Sequence, residues 1–269
     1  MPSSPRSAAR SATSSRRLLV LARVGFVANG VVHILLGTIV LAVAFGGGGQ
    51  PDQAGAFEAL ASAPFGAVAL WACAIGLWAL GLWRALQALA SRGSDTGDRL
   101  KSAASNGGQA IAYFAVGGVA ASVALGARPQ SEQNAQSASG SVLALPGGQV
   151  LLGIVAAVIG AIGIAFVVMG LRRSFRKKVT TPRGSAGTAF VALGAIGYVA
   201  KGIALATVGV LIMTAAVTVD PSAAGGLDGA VSALLAAPAG RWIGAAVGIG
   251  FIAYGIFTVI RARYARIDG

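Results

Sequence analysis

Three polar side chains, Asn29, His33 and Lys201, lie inside long apolar stretches of the sequence. Polar groups are costly within a membrane helix, so each is a candidate for function by default. Asn29 and His33 are four residues apart and therefore share one face of a helix. His33 is the only histidine, and a lone histidine lacks the partners of a metal or haem site. We predict that His33 forms hydrogen bonds between helices, and that the chain holds no metal or other cofactor.

Lys201 is the most informative of these residues because it lies near the middle of its apolar stretch, too far from either end to snorkel easily. Burial disfavours the charged form of an amine unless an acceptor or water supports it. Arg23, by contrast, lies close to the end of its stretch, where a guanidinium can reach the lipid headgroups. Lys201 is therefore the residue most in need of an interior partner.

The sequence predicts no catalytic residue. The apolar stretches contain no acidic residue, so catalysis by a carboxylate pair and proton relays through carboxylates lack their parts. The chain has no Ser–His–Asp arrangement and no phosphate-binding loop of the Walker type. These features favour a protein that is not an enzyme.

The elements that position these residues are six apolar stretches in a chain that is 55% hydrophobic and only 11% charged. They lie near residues 18–45, 66–90, 105–127, 148–171, 188–218 and 241–260. Each has the roughly 20 residues that an α-helix needs to cross a bilayer. Backbone groups in lipid must be satisfied within their own segment, which requires helices. The sequence therefore predicts an all-α, polytopic integral membrane protein with six transmembrane helices.

The net charge of +13 follows membrane topology rather than a surface that binds nucleic acid. Most of the 21 Lys and Arg residues lie in the two tails and in the loops after the second and fourth apolar stretches. By the positive-inside rule, this distribution places both termini in the cytoplasm. The lipid bilayer is therefore the expected partner, and nucleic acid is not.

A glycine frame repeats along the chain. It is formed by Gly25, Gly30 and Gly37 and returns as Gly197, Gly202 and Gly209. Small residues at fixed spacing allow helices to approach closely, so these glycines are predicted to face neighbouring helices. After each copy comes a loop, a Pro-x-Gly step and a second apolar stretch, and the middle third of the chain is a weaker copy of the same unit.

The predicted organisation is three two-helix repeats between two tails. The boundaries are 1–17 for a disordered cytoplasmic tail, 18–96, 101–175 and 188–262 for the repeats, and 263–269 for a second cytoplasmic tail. Each external loop is expected to contain a short helical turn, near 53–62, 133–145 and 225–237. The proline that follows should end each turn, because the residue before a proline is biased away from the α conformation.

Asn29, Gln109 and Lys201 occupy the same position in the three repeats. Repeats in one orientation can be related by rotation about the membrane normal. Such a rotation would bring these side chains to one level, as a central polar layer with His33 beside it. The alternative is that this position merely borders the glycine seam, and the sequence leaves both interpretations open.

The first repeat carries motifs that resemble a known family. They read Arg23-x-Gly25-(x)4-Gly30-(x)6-Gly37, then Ala-Phe-x-x-Leu-Ala-x-x-Pro-Phe-Gly66, then Gly-Leu-Trp-Ala-Leu-Gly-Leu-Trp83-Arg84. The pattern is similar to the bacterial family called domain of unknown function 1206, although the third repeat has Ala195 in place of the arginine. The resemblance implies three two-helix repeats in a bacterial inner (cell) membrane, and it implies no established activity.

Two functions are compatible with these features. Sparse charge inside the membrane favours a structural or accessory protein. Such a protein could have other membrane proteins as partners. The alternative is a transporter or channel for a small polar or anionic solute, which would use Asn29, Gln109 and Lys201. The two differ in whether these side chains line a hydrated cavity or face separate packing seams.

Overall fold

The computed structural model describes residues 16–90, 96–179 and 181–264. Within these ranges the chain forms nine α-helices: α1 Arg16–Ala44, α2 Gln53–Ala61, α3 Gly66–Leu89, α4 Thr96–Ala124, α5 Ser131–Leu143, α6 Gly148–Leu171, α7 Ser185–Thr218, α8 Leu227–Ala236 and α9 Gly240–Tyr264. Short 3₁₀ turns follow α6 and α7, at Ser174–Lys178 and Pro221–Ala223. Residues 1–15 and 265–269, which make up most of the two predicted tails, lie outside the described residues, so the tails stay predictions.

Six of these helices, α1, α3, α4, α6, α7 and α9, are long and apolar enough to cross a membrane. This confirms the predicted all-α, polytopic membrane fold. α4 begins at Thr96, well before the apolar stretch predicted from residue 105. Its first turns carry Asp98 and Lys101, and a helix can continue past the hydrocarbon because its backbone hydrogen bonds are internal.

The short helices α2, α5 and α8 confirm the helical turns predicted between the long helices. Each is followed by a Pro-x-Gly step whose middle residue has a left-handed backbone, with φ of 60° at Phe65, 73° at Gly147 and 60° at Ala239. The glycine that follows Phe65, Gly66, has no room for a side chain, because an added Cβ would overlap the carbonyl oxygen of Leu60. The step therefore turns the chain from each short helix directly into the next long one.

The six long helices form a ring in which each repeat joins the next in the same way. The second long helix of one repeat packs against the first long helix of the following repeat: α3 against α4, α6 against α7, and α9 back against α1. Within repeats, α1 packs on α3 and α7 packs on α9, whereas α4 and α6 form no packed interface. The ring is therefore open between the two long helices of the second repeat.

Small residues at equivalent positions build all three interfaces between repeats. The contacts pair Gly30 with Gly255, Ala110 with Gly81, and Gly202 with Gly163; at a second level they pair Gly37 with Gly248, Gly117 with Ala74, and Gly209 with Ala156. At each glycine an added Cβ would lie within ordinary contact distance of the facing backbone or closer. One sequence frame therefore produces one helix-packing geometry, used three times around a pseudo-threefold axis.

The ring has two distinct ends. The end where α1 begins and α9 ends, here the basic end, also carries the loops after α3 and α6. The opposite end, here the loop-helix end, carries α2, α5 and α8. Asp52 is fully buried at this second end, and its carboxylate accepts hydrogen bonds from the Gly55 amide (2.7 Å) and the Gln50 side chain (3.0 Å).

Asp52 also connects the repeats at the loop-helix end. Ser131, at the start of α5, interacts with its carboxylate, and the buried Asp228 of α8 lies close enough to repel it. Burial, followed by the repulsion from Asp228, raises the pKa of Asp52, although the hydrogen bonds oppose that shift. A single carboxylate therefore bonds to the first two repeats and senses the charge of the third.

Candidate functional site

A polar contact within the ring joins Lys201 of α7 to His33 of α1. The Lys201 Nζ lies 3.1 Å from His33 Nε2, and His33 Nδ1 lies 2.8 Å from the main-chain carbonyl oxygen of Asn29. Because a carbonyl only accepts, Nδ1 is assigned the ring proton, and Nε2 then accepts a hydrogen bond from Lys201. His33 therefore acts as a neutral acceptor for the amine, oriented by the helical turn that precedes it.

Aromatic rings surround this contact. Tyr254 of α9 lies between the two helices, with its ring centroid 4.6 Å from the Lys201 Nζ and 4.7 Å from the His33 ring. Phe166 of α6 lies 5.8 Å from the same Nζ, and Tyr113 of α4 is within electrostatic range of it. The faces of aromatic rings attract cations, so this environment suits a charged amine better than aliphatic side chains would.

No protein carboxylate compensates the Lys201 charge: across residues 16–90, 96–179 and 181–264, no acidic side chain forms an ion pair with it. His33 is buried, at 6% exposure, whereas Lys201 is only partly buried. The site is therefore an amine at mid-depth without a carboxylate partner, held by one neutral acceptor and two aromatic rings. Chemically, it can accept an anion or hold a hydrogen-bonded water.

The structure brings together only part of the predicted polar layer. Lys201 and His33 meet, and Asn29 contributes its main-chain carbonyl. Gln109 instead donates to the main-chain oxygen (3.1 Å) and hydroxyl (3.3 Å) of Ser105 on its own helix. Among the described hydrogen bonds, none links Asn29, Gln109 and Lys201 to one another. The expected layer of three is thus replaced by a pair, because a serine one turn away offers Gln109 a local partner.

Sequence reasoning missed Tyr113, which lies in α4 at the repeat position equivalent to His33. The signal was available: the same alignment that related Asn29, Gln109 and Lys201 also relates His33 to Tyr113 four residues later. The second and third aromatic groups of the site, Tyr254 and Phe166, carry no such signal. Their side chains point to Lys201 only because α9 and α6 flank α7.

A second polar cluster lies nearer the basic end. Arg84 is buried, at 8% exposure, and donates to the side chains of Gln87 and Asn106 at 3.1 Å each. Arg261 lies 3.4 Å from the Tyr198 hydroxyl and 5.0 Å from the centroid of the Phe26 ring. In the sequence these two arginines counted only as charges that flank apolar stretches. In the fold, both guanidinium groups lie inside the bundle and join helices.

The remaining predicted residues lie at helix contacts. Gly25 faces Gly76 within the first repeat, and Gly197 faces Tyr254 within the third. An apolar groove of about 500 Å³ follows the opposite side of α7, between α6 and α9. Its lining does not include Lys201, so the groove and the polar pair are separate features of the molecule.

Three tandem two-helix repeats, arranged as a ring of membrane-spanning helices around an internal cation, define the class of this protein. The sequence profile of the family described as Domain of Unknown Function (DUF1206) matches the chain three times, at residues 24–91, 104–173 and 196–265. The chain therefore belongs to this family, as its motifs predicted, and it contains three repeats.

One relative comes from Bacillus subtilis (strain 168) and carries the description "Uncharacterized protein YxxB". It is 29% identical to this chain over 246 residues, which cover 90% of this chain and 89% of the relative. No solved structure matches. The similarity to a bacterial protein over nearly the whole length is consistent with one conserved arrangement of repeats.

Proposed function

We propose that this protein is a structural or accessory component of the bacterial inner membrane, with no enzymatic activity. The observation that carries the proposal is the use of small residues at all three interfaces between repeats. Close backbone contact favours a fixed arrangement of helices, and Arg84 and Arg261 donate to side chains on neighbouring helices. The partners are the lipid bilayer and other membrane proteins held by this scaffold.

The proposal places both termini in the cytoplasm, because the basic end carries most of the positive charge. Cysteine labelling from outside intact cells tests this orientation in a background in which Cys73 is replaced by alanine. A probe at Gly48→Cys should react, and a probe at Arg92→Cys should not. The reverse pattern would invert the topology.

A second candidate function, transport of a small anionic solute, is favoured by one specific observation. Lys201 is a cation without a carboxylate partner near the middle of the bundle, and such residues often mark ion pathways. A transporter would use Lys201 to attract the solute and His33 to orient the amine. The tight seams between repeats argue for the accessory role as the first choice.

Ion flux separates the two candidates. The full chain is reconstituted in liposomes and chloride entry is followed with a halide-sensitive dye, beside liposomes containing the Lys201→Met variant. The accessory role predicts no flux above that of protein-free vesicles for either protein. Flux that the wild type supports and Lys201→Met lacks would overturn the accessory role in favour of transport.

A further inference from the structure

The ring of helices is open between α4 and α6, and Lys201 lies behind this opening. Phe166 on the α6 side lies 5.8 Å from the Lys201 Nζ, and the partly buried Tyr113 lies on the α4 side. Lys201 as a whole residue is only partly buried. The opening therefore lies on the side of the bundle from which Phe166 approaches the amine.

Substitutions in the second repeat explain the opening. In the first repeat Gly25 and Gly76 face each other, and in the third Gly197 and Gly250 lie at the same interface. The equivalent residues of the second repeat are Ser105 and Val158, both of which are exposed. Larger side chains at both seam positions prevent the close approach that small residues allow, so α4 and α6 stay apart.

The walls of the opening combine apolar groups with Ser105 and Gln109 of α4, whose side chains bond to each other. Ala28 and Ala200 contact the facing glycines in the other two repeats, whereas a Cβ added at the equivalent Gly108 would meet nothing within 4 Å. On α6, Val158 and Ile162 are 53% and 45% exposed. A hydrocarbon chain from the bilayer fits such walls, and a hydrated ion does not.

We propose that Lys201 binds the carboxylate of a long-chain amphiphile whose tail lies between α4 and α6. An ammonium has three N–H donors, of which one is directed to His33 Nε2, so two remain for the two carboxylate oxygens. Pairing with an anion also offsets the cost of holding a charge out of water. This inference rests on the ligand-binding side of the second candidate function, but it requires binding only, not transport.

The geometry favours a carboxylate over a phosphate monoester. A phosphate monoester carries a charge of about −1.5 to −2 at pH 7 and three acceptor oxygens, more than the two donors left on Lys201 satisfy. The guanidinium groups of Arg84 and Arg261 already donate to Asn106 and Tyr198. The ligand is therefore a singly charged amphiphile drawn from the membrane.

Binding of oleate to the full chain in phosphatidylcholine nanodiscs tests the proposal, with a fluorescent fatty acid as the displaced probe. Wild type and the control Lys101→Met, which removes an exposed lysine of α4, should bind oleate equally. Lys201→Met should bind at least about tenfold more weakly. Methyl oleate, which lacks the charge, should displace the probe poorly from all three proteins.

A second pair of variants tests the route without touching the cation. Gly108→Phe fills the opening, whereas Gly118→Phe places the same ring elsewhere on α4, and neither added Cβ meets an atom within 4 Å. Gly108→Phe alone should weaken oleate binding, with thermal unfolding confirming that both variants fold.

Equal oleate affinity in wild type and Lys201→Met, equal binding of methyl oleate, or tighter binding of dodecyl phosphate than of oleate would each overturn the proposal. Absence of chloride flux would not affect it.

Discussion

The second and third repeats share one sequence frame yet differ in how their two long helices meet. In the third repeat, Gly197 lies against Tyr254 and Gly250 lies against Ala200, so α7 and α9 form a packed pair. In the second, α4 and α6 separate, and each packs instead against a helix of a neighbouring repeat. The difference shows that the contacts between repeats are kept even where the contact within a repeat is lost.

This comparison also explains why the internal site is asymmetric. Where a repeat is closed, glycine and alanine residues bring its two long helices into contact. Where the repeat is open, these contacts are missing beside Lys201 of α7, a residue that is only partly buried. Divergence of one repeat thus turns a symmetric packing scheme into a molecule with one distinct side.

The largest expected effect comes from breaking an interface between repeats with Gly202→Leu. An added Cβ at Gly202 would lie 2.6 Å from the Gly163 oxygen and 2.7 Å from the Val167 amide nitrogen, so a leucine must push α6 and α7 apart. Overpacking of this kind costs about 1–3 kcal/mol or more. Thermal unfolding in detergent should show a clear loss of stability.

Gly153→Leu is the matched control for that substitution. Gly153 lies in α6, and a Cβ there would meet nothing within 4 Å. It should leave the unfolding temperature nearly unchanged, since it adds the same side chain without a clash. If both variants unfold alike, the seam between repeats is not what holds the ring.

Replacing Lys201 by methionine should have a smaller effect, and of opposite sign. Exchanging a partly buried, unpaired charge for an apolar side chain of similar length is expected to be neutral or slightly stabilising. His33 then loses its donor but remains bonded to the Asn29 carbonyl. A marked fall in unfolding temperature for Lys201→Met would show that the pair is a structural bond rather than a charge kept for a ligand.

A third test attempts to close the second repeat. The double substitution Ser105→Gly with Val158→Gly restores the seam residues of the other repeats, so α4 should move towards α6. Labelling of α4 near Gly108 by a lipid-soluble diazirine, which inserts into C–H bonds and is read out by mass spectrometry, should decrease if the route closes. Unchanged labelling would mean that the two side chains are not what separates the helices.

Much of the fold was predictable because it depends on local patterns. Length and hydropathy predict the six long helices, and the repeated Pro-x-Gly step predicts the short helices that precede it. The opening between α4 and α6 was harder to predict, although it results from Ser105 and Val158, which stand where the other repeats have glycine. Predicting it requires knowing that these two positions face each other, which only the packed repeats reveal.

The candidate site was predictable in part, for the same reason. Lys201 and His33 stand out because polar groups are costly at mid-depth. That they bond to each other depends on α9, which brings α7 and α1 to a common interior although those helices are far apart in the chain. Gln109 bonds to Ser105 on its own helix instead of to the other members of the expected layer. An alignment of repeats cannot predict this choice, because it does not compare local with inter-helix hydrogen bonds.

The smallest expected effect concerns Asp52, which keeps the open second repeat connected to the others at the loop-helix end. Burial raises the pKa of this carboxyl above its ordinary value of 3.8, so the folded state binds the proton more tightly than the unfolded state does. The stability from protonated Asp52 is therefore fully present below pH 3.8 and is lost as the pH rises through the raised pKa.

Asp52→Asn should remove this decline while keeping an acceptor for the Gly55 amide. Asp220 is the control: hydrogen bonds from Ser222 lower its pKa, so Asp220→Asn should instead remove stability that is lost on acidification. Unfolding temperatures of wild type, Asp52→Asn and Asp220→Asn, measured below and above pH 3.8, test this prediction. If the pH profile of Asp52→Asn equals that of the wild type, Asp52 is not the group whose titration changes the stability.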